Sequence, residues 1–143
     1  MNIKINAADS AFSLAVRWRA GFFCECCGKS YQPGTMGLHC SHLFSRRSQL
    51  TRYDPDNAVA HCYGCHQRLG GSPLDFARWA ELKFGVPAMD KLRLRAHLTY
   101  KRPKSFLPLI AKHYREQAKI LESYWLDGPA FGRPDLPPFQ EPF

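Results

Sequence analysis

The residues of this sequence whose types and spacing can do chemistry are two Cys-x-x-Cys pairs, Cys24/Cys27 and Cys62/Cys65, together with His42, Asn57 and His66. Tetrahedral zinc takes four soft or borderline ligands, and each Cys-x-x-Cys pair chelates through one tight turn, which Gly28 directly after Cys27 favours. Two further cysteines remain, and either one is able to replace a member of the quartet. Cys26 reads as a bystander inside the first knuckle, and Cys40 as a small residue of a strand. Zinc held by four sulfurs has no open position, so this ion is expected to be structural and the chemistry must come from other side chains.

Phosphodiester hydrolysis needs a water deprotonated near neutral pH, a cation to neutralise the charge growing on the phosphate, and stabilisation of the departing oxygen. Imidazole suits the first task because its ordinary pKa lies near 6.5. His42 is followed after fifteen residues by Asn57 and after nine more by His66. Each has a plainer reading when taken alone, as a satisfied strand histidine or as a turn-forming asparagine after Asp-Pro-Asp. Taken together inside the cysteine frame, they point to a nuclease centre with His42 as general base. Arg46, Arg47 and Arg52 lie between base and asparagine, and Arg68 follows His66 by two; all four are candidates to hold phosphates, with a solvated basic loop as the alternative. His39 and His61 read as structural or supporting residues.

These side chains need elements to position them. A helix capped by Asp9 or Ser10, with Phe12, Ala15, Val16 and Ala20 at helical spacing and Arg17 and Arg19 at its C-terminal end, leads into the first knuckle. Leu38 to Leu43 and Ala58 to Cys62 read as short strands flanking a polar loop that ends in an Asp-Pro-Asp-Asn turn. A helix follows the second Cys pair, which makes a ββα unit. Gly70-Gly71 ends it, and Ser72-Pro73 starts a helix carrying Phe76, Trp79, Ala80 and Phe84, with Asp75 in the capping-box place. A shorter helix after Pro87 turns Met89, Leu92 and Ala96 inward. The longest helical pattern, Ser105 to Leu126, has Pro108 in its first turn, and its apolar stripe is offered to the body or to a second subunit, a homodimer. Residues 127–143 carry five prolines and three phenylalanines, so an extended tail is expected, mobile or laid over the surface by those rings.

The expected fold is therefore α+β and mainly helical: a ββα core with a zinc knuckle pair, flanking helices and a long C-terminal helix. One domain spans 1–126, with its core at about 20–85, a helical extension over 86–126 and a tail over 127–143. Among the 143 residues, 20 Lys and Arg stand against 12 acidic residues, and this net charge of +8 favours a polyanionic partner, nucleic acid first. The opening residues MNIKINAADS have no apolar core, and no stretch approaches the roughly 18 apolar residues of a spanning helix, so a cytoplasmic protein without a membrane role is expected. In a reducing compartment six cysteines point to metal before disulfides.

The order C-x-x-C-G, His, Asn, C-x-x-C-H resembles the HNH (His-Me finger, ββα-metal) endonucleases with a treble-clef zinc. The Ser-His segment, the R-Y-D-P-D-N turn, G-G-S-P-L and K-H-Y-R-E-Q-A-K-I-L extend the resemblance, over about residues 20–125, to the NinG (Rap) recombination nucleases of lambdoid phages. The resemblance implies His42 as general base, Asn57 as a ligand of a catalytic Mg²⁺ or Mn²⁺, and His66 as a second ligand or phosphate contact. It also implies branched or recombination DNA as substrate, in the cytoplasm of a bacterial host. Ser41 stands where many HNH enzymes place an aspartate ligand, which implies an ion held weakly until DNA phosphate completes its shell. Two other readings keep the same residues, a catalytically silent zinc module that binds DNA and a nuclease directed at RNA.

Overall fold

Helix α1 (Ala7–Arg19) begins at a reciprocal cap: the Asn6 side chain accepts from the Asp9 amide (2.8 Å) and the Asp9 carboxylate accepts from the Asn6 amide (2.9 Å). The cap is thus Asn6, three residues before the expected Asp9, which instead occupies the third helical position of a capping box. The computed structural model describes residues 3–142. Ala8, Ala11, Phe12, Ala15 and Val16 bury one face of α1. The chain then turns at Gly21 (φ +63°), where an added Cβ would lie 2.8 Å from the Trp125 ring, so only glycine suits both the backbone and the packing.

Strands β1 (Leu38–His42) and β2 (Ala58–Cys62) pair antiparallel, with Leu38 opposite Cys62 and His42 opposite Ala58. An isolated two-stranded hairpin is marginal in water. Here it is the middle layer of the molecule. Ala58 and Ala60 pack into the core formed with α1 and the last helix, and Val59 packs with Leu69 and Phe76 on the other side. The connection between the strands, expected as an irregular loop, contains a short helix α2 (Gln49–Arg52) and a 3₁₀ turn at Pro55–Asn57 capped by Asp54.

Helix α3 (Tyr63–Gly70) is capped by Cys62, whose sulfur accepts from the Cys65 amide. Helix α4 (Pro73–Phe84) starts after Ser72, whose hydroxyl donates to Asp75 (2.8 Å) without capping the backbone. Helix α5 (Val86–Ala96) buries Met89 and Leu92 against Ala80 of α4. Helix α6 (Leu107–Leu126) buries Ile110, Ala111, Tyr114, Ala118 and Leu121 in the core it shares with α1, so this stripe is covered within the chain. No helix among the described residues is long and apolar enough to cross a membrane.

The tail from 127 lies on the body, held more by charge than by its aromatic rings. Arg133 donates to Glu25 (2.6 Å), Arg102 and Tyr100 both donate to Glu141, and Leu136 is buried, whereas Phe131 is 83% exposed. Phe139 is partly buried against the core, and Phe143 lies outside the described residues.

Candidate metal centre and cleft

The four sulfurs of Cys24, Cys27, Cys62 and Cys65 all lie within 4.8 Å of one another, and those of Cys27 and Cys62 are 3.7 Å apart. Sulfurs at the zinc–thiolate bond length around one tetrahedral ion are about 3.8 Å apart. The Cys27 amide points at Cys24 Sγ and the Cys65 amide at Cys62 Sγ, each at 3.5 Å, and these bonds orient the thiolates. Gly28 adopts φ +79° and returns its amide to the Cys24 carbonyl, closing the turn. The donor set and its spacing fit a structural zinc.

Cys26 and Cys40 stand outside the quartet. Burial pushes the Cys40 thiol up to about 12, so it stays neutral. Cys26 Sγ accepts from Arg68 (3.3 Å), and Arg68 also interacts with Cys65. Arg68, expected at a phosphate, is exposed beside the cysteine cluster, where a guanidinium would offset the negative charge of metal-bound thiolates.

The hairpin register distributes the histidines. Cys40 and His42 face α1, and the His42 ring packs 6.0 Å from Phe12. His39 and Ser41 face α3: Ser41 Oγ lies 2.6 Å from His66 Nδ1 and 3.1 Å from His61 Nδ1, and His39 stacks on His66 at 5.1 Å. His61 is fully buried between Ser41, Phe76 and Trp79, a structural place as expected. His42 and His66 thus leave opposite faces of the hairpin, yet both line one cleft of 630 Å³ along β1, together with Arg17, His39, Ser45 and Arg46.

Nε2 of His42 is buried without a hydrogen-bond partner, and the Arg52 backbone lies close enough to the ring to favour its protonated form slightly. Either ring nitrogen of the neutral imidazole can carry its one proton, and the other keeps a lone pair able to take a second. Burial, reinforced by the charge of Arg46, pushes the His42 pKa down to about 4, so the ring is neutral at pH 7. An anion bound in the cleft would act in the opposite sense and raise that pKa.

Asn57 does a different job from the ligand role expected of it. Its Oδ1 accepts from the Phe44 amide (2.7 Å), and its Nδ2 donates to the carbonyls of Phe44 and Thr51 (both 3.0 Å). The residue is fully buried with both ends of its amide engaged, so it clamps the loop between the strands and does not face an ion. Arg52 is also redirected: it makes a buried two-pronged pair with Asp9 (3.0 and 2.6 Å) and donates to the Lys4 carbonyl. Arg19 donates to the carbonyls of Pro55 and Ala58 (3.0 and 2.6 Å) from the other side. Together the bonds of Asn57, Arg52 and Arg19 hold the backbone of the connection that passes His42.

Of the four arginines expected at phosphates, Arg46 is the one that lines the cleft. Arg47 is exposed on the same loop, its amide donating to Ser45 Oγ (3.2 Å). Arg17 of α1 was not singled out as a binding residue. The signal was present in the four-residue spacing of Asp9, Ser13 and Arg17, a polar stripe on α1, and all three line the cleft.

Asn57→Ala is expected to cost about 3 kcal/mol, because three buried main-chain partners lose their bonds. Ion affinity should be unchanged; a variant of wild-type stability with weaker Mn²⁺ binding would restore the ligand role. The depressed pKa of His42 also sets a pH dependence of stability. Between pH 6.5 and 4 the unfolded chain takes up a proton that the fold resists, so stability is complete above 6.5 and falls as pH drops through that window. Urea melts should show wild type losing about 2 kcal/mol more than His42→Gln between pH 6.5 and 5; parallel curves would refute the assignment.

No protein-family model matches the chain, and no curated protein or solved structure is significantly similar to it.

Proposed function

We propose that this chain is a metal-dependent endonuclease of the ββα-metal (HNH) class that hydrolyses DNA with His42 as general base. The observation that carries the proposal is the place of His42: a neutral imidazole lining a cleft flanked by Arg17 and Arg46, beside a loop backbone pinned by Asn57 and Arg52. In the proposed step a water gives its proton to the unprotonated ring nitrogen of His42 as its oxygen attacks phosphorus in line. The bond from phosphorus to the 3′-oxygen breaks, and that oxygen takes a proton from solvent, leaving a 5′-phosphate and a 3′-hydroxyl. Arg17 and Arg46 hold the flanking phosphates.

A divalent ion, Mg²⁺ or Mn²⁺, supplies neutralisation of the phosphate and of the departing oxygen when bound. His66 fits it in part, through the ring nitrogen that Ser41 does not engage. Asn57 does not fit, and the carboxylate of Asp9 is committed to Arg52, so an ion held here would need substrate oxygens beside His66. That sparse donor set also favours a second reading, a zinc-stabilised DNA-binding module without activity.

Digestion of four-way, flap, single-stranded and duplex DNA and of matched RNA, with Mg²⁺ or Mn²⁺, separates these readings. Ion-dependent cleavage of DNA, strongest on branched forms, is the expected result. Cleavage of RNA in preference would change the substrate class, and binding with no cleavage of any substrate would leave the silent module.

A further inference from the structure

A second cavity adjoins the cleft. It measures 280 Å³ and is walled by Leu43, Phe44, Leu69, Phe76 and Met89, with Ala77 of α4 on its lining. Among the described residues, His42 alone lines both this pocket and the cleft, so the two meet at the base. The volume lies below the roughly 300–1,000 Å³ of pockets that hold drug-sized ligands, which suits one planar ring system and not a whole nucleotide. The pocket offers little polar recognition. The amide and carbonyl of Phe44 are already taken by Asn57, and Arg93 at the lining is paired with Asp90 (2.7 Å) and Glu81 (3.5 Å). What remains is aromatic and aliphatic surface, which accepts the face of any base without reading its edge.

Resting on the assignment of the cleft to nucleic acid, we propose that this pocket takes one unpaired nucleobase from the strand whose backbone lies in the cleft. The cationic approach, through Arg17 and Arg46 of a chain with net charge +8, favours a polyanion whose apolar rings lie one bond system away from its charges. A nucleotide strand has that chemistry. A paired base would have to leave its stack to enter, whereas a base at a junction, flap or single-stranded gap is already free. Preference for irregular DNA then follows from one stacking site beside His42, with no sequence preference.

The test uses the full zinc-loaded chain with Ca²⁺ in place of Mg²⁺ or Mn²⁺, and DNA carrying the fluorescent adenine analogue 2-aminopurine either unpaired at a junction or within a duplex. Binding should change the fluorescence of the unpaired probe and leave the duplex probe unaltered. Ala77→Trp, which fills the pocket, should abolish that response and reduce affinity for the unpaired substrate roughly tenfold or more. Ala77→Leu, a smaller intrusion on the same helix face, serves if the tryptophan variant fails to keep its zinc or its melting profile. An unchanged fluorescence response in a folded, pocket-filled variant overturns the proposal. A response that Ala77→Trp abolishes, in a wild-type protein that cleaves nothing with Mg²⁺ or Mn²⁺, supports the base pocket and refutes the nuclease. Cleavage by wild type without any response of the unpaired probe refutes the pocket alone.

Discussion

Cys24→Ser is expected to leave the chain without zinc and without a cooperative melting transition at neutral pH. Structural zinc contributes about 10–16 kcal/mol of apparent binding free energy in small zinc domains, comparable to or larger than the roughly 5–15 kcal/mol by which whole domains are stable. The quartet joins two distant segments, the knuckle at 24–27 and the start of α3 at 62–65, and Cys24, Cys62 and Cys65 belong to the main core. Losing one ligand therefore removes the tie between the first knuckle and the hairpin as well as the ion. Cys26→Ser, outside the quartet, should keep both zinc and melting temperature. Far-UV circular dichroism with metal analysis of both variants, and of wild type treated with a tight zinc chelator, provides the check. Equal behaviour of the two variants would refute the assigned quartet.

His42→Ala is expected to lower cleavage by 10²- to 10⁴-fold, the range in which a positioned general base contributes. Zinc content and DNA binding should persist, since the ring makes no hydrogen bond to the cysteines or to Arg46 and packs on Phe12. In the free enzyme the base is neutral above about pH 4, so kcat/KM should be flat from neutral pH downward and fall only where the ring takes up its proton. A variant cleaving within a few-fold of wild type would remove His42 from the chemistry. A fall centred near pH 6.5 would show that the imidazole titrates as an exposed one does.

Cysteine chemistry made the metal centre legible from spacing alone, because a doubled Cys-x-x-Cys has few uses other than chelation. The hairpin was legible too: the strands expected at Leu38 to Leu43 and Ala58 to Cys62 are found at Leu38–His42 and Ala58–Cys62. Partnerships made across long stretches of chain were not. Asp9 and Arg52 are 43 residues apart and Glu25 and Arg133 are 108 apart, and no local pattern pairs them. An arginine in a polar loop looks the same in sequence whether it meets solvent, a phosphate or a buried carboxylate. Arg52 was therefore read as a binding residue, and Arg17, which reaches the cleft, was read only for its fit to a helix dipole. Asn57 shows a further limit. Its position between the strands was informative, but spacing cannot tell whether an amide faces an ion or the main chain.

That clamp bears on how the loop can change over evolutionary time. Every partner of the Asn57 side chain is a main-chain atom of Phe44 or Thr51, so the clamp is blind to which side chains those positions carry. The Arg46 side chain takes no part in it, so that position can change while the clamp on the loop stays in place. The charge that lines the cleft is thereby made variable separately from the fold of the loop that carries it.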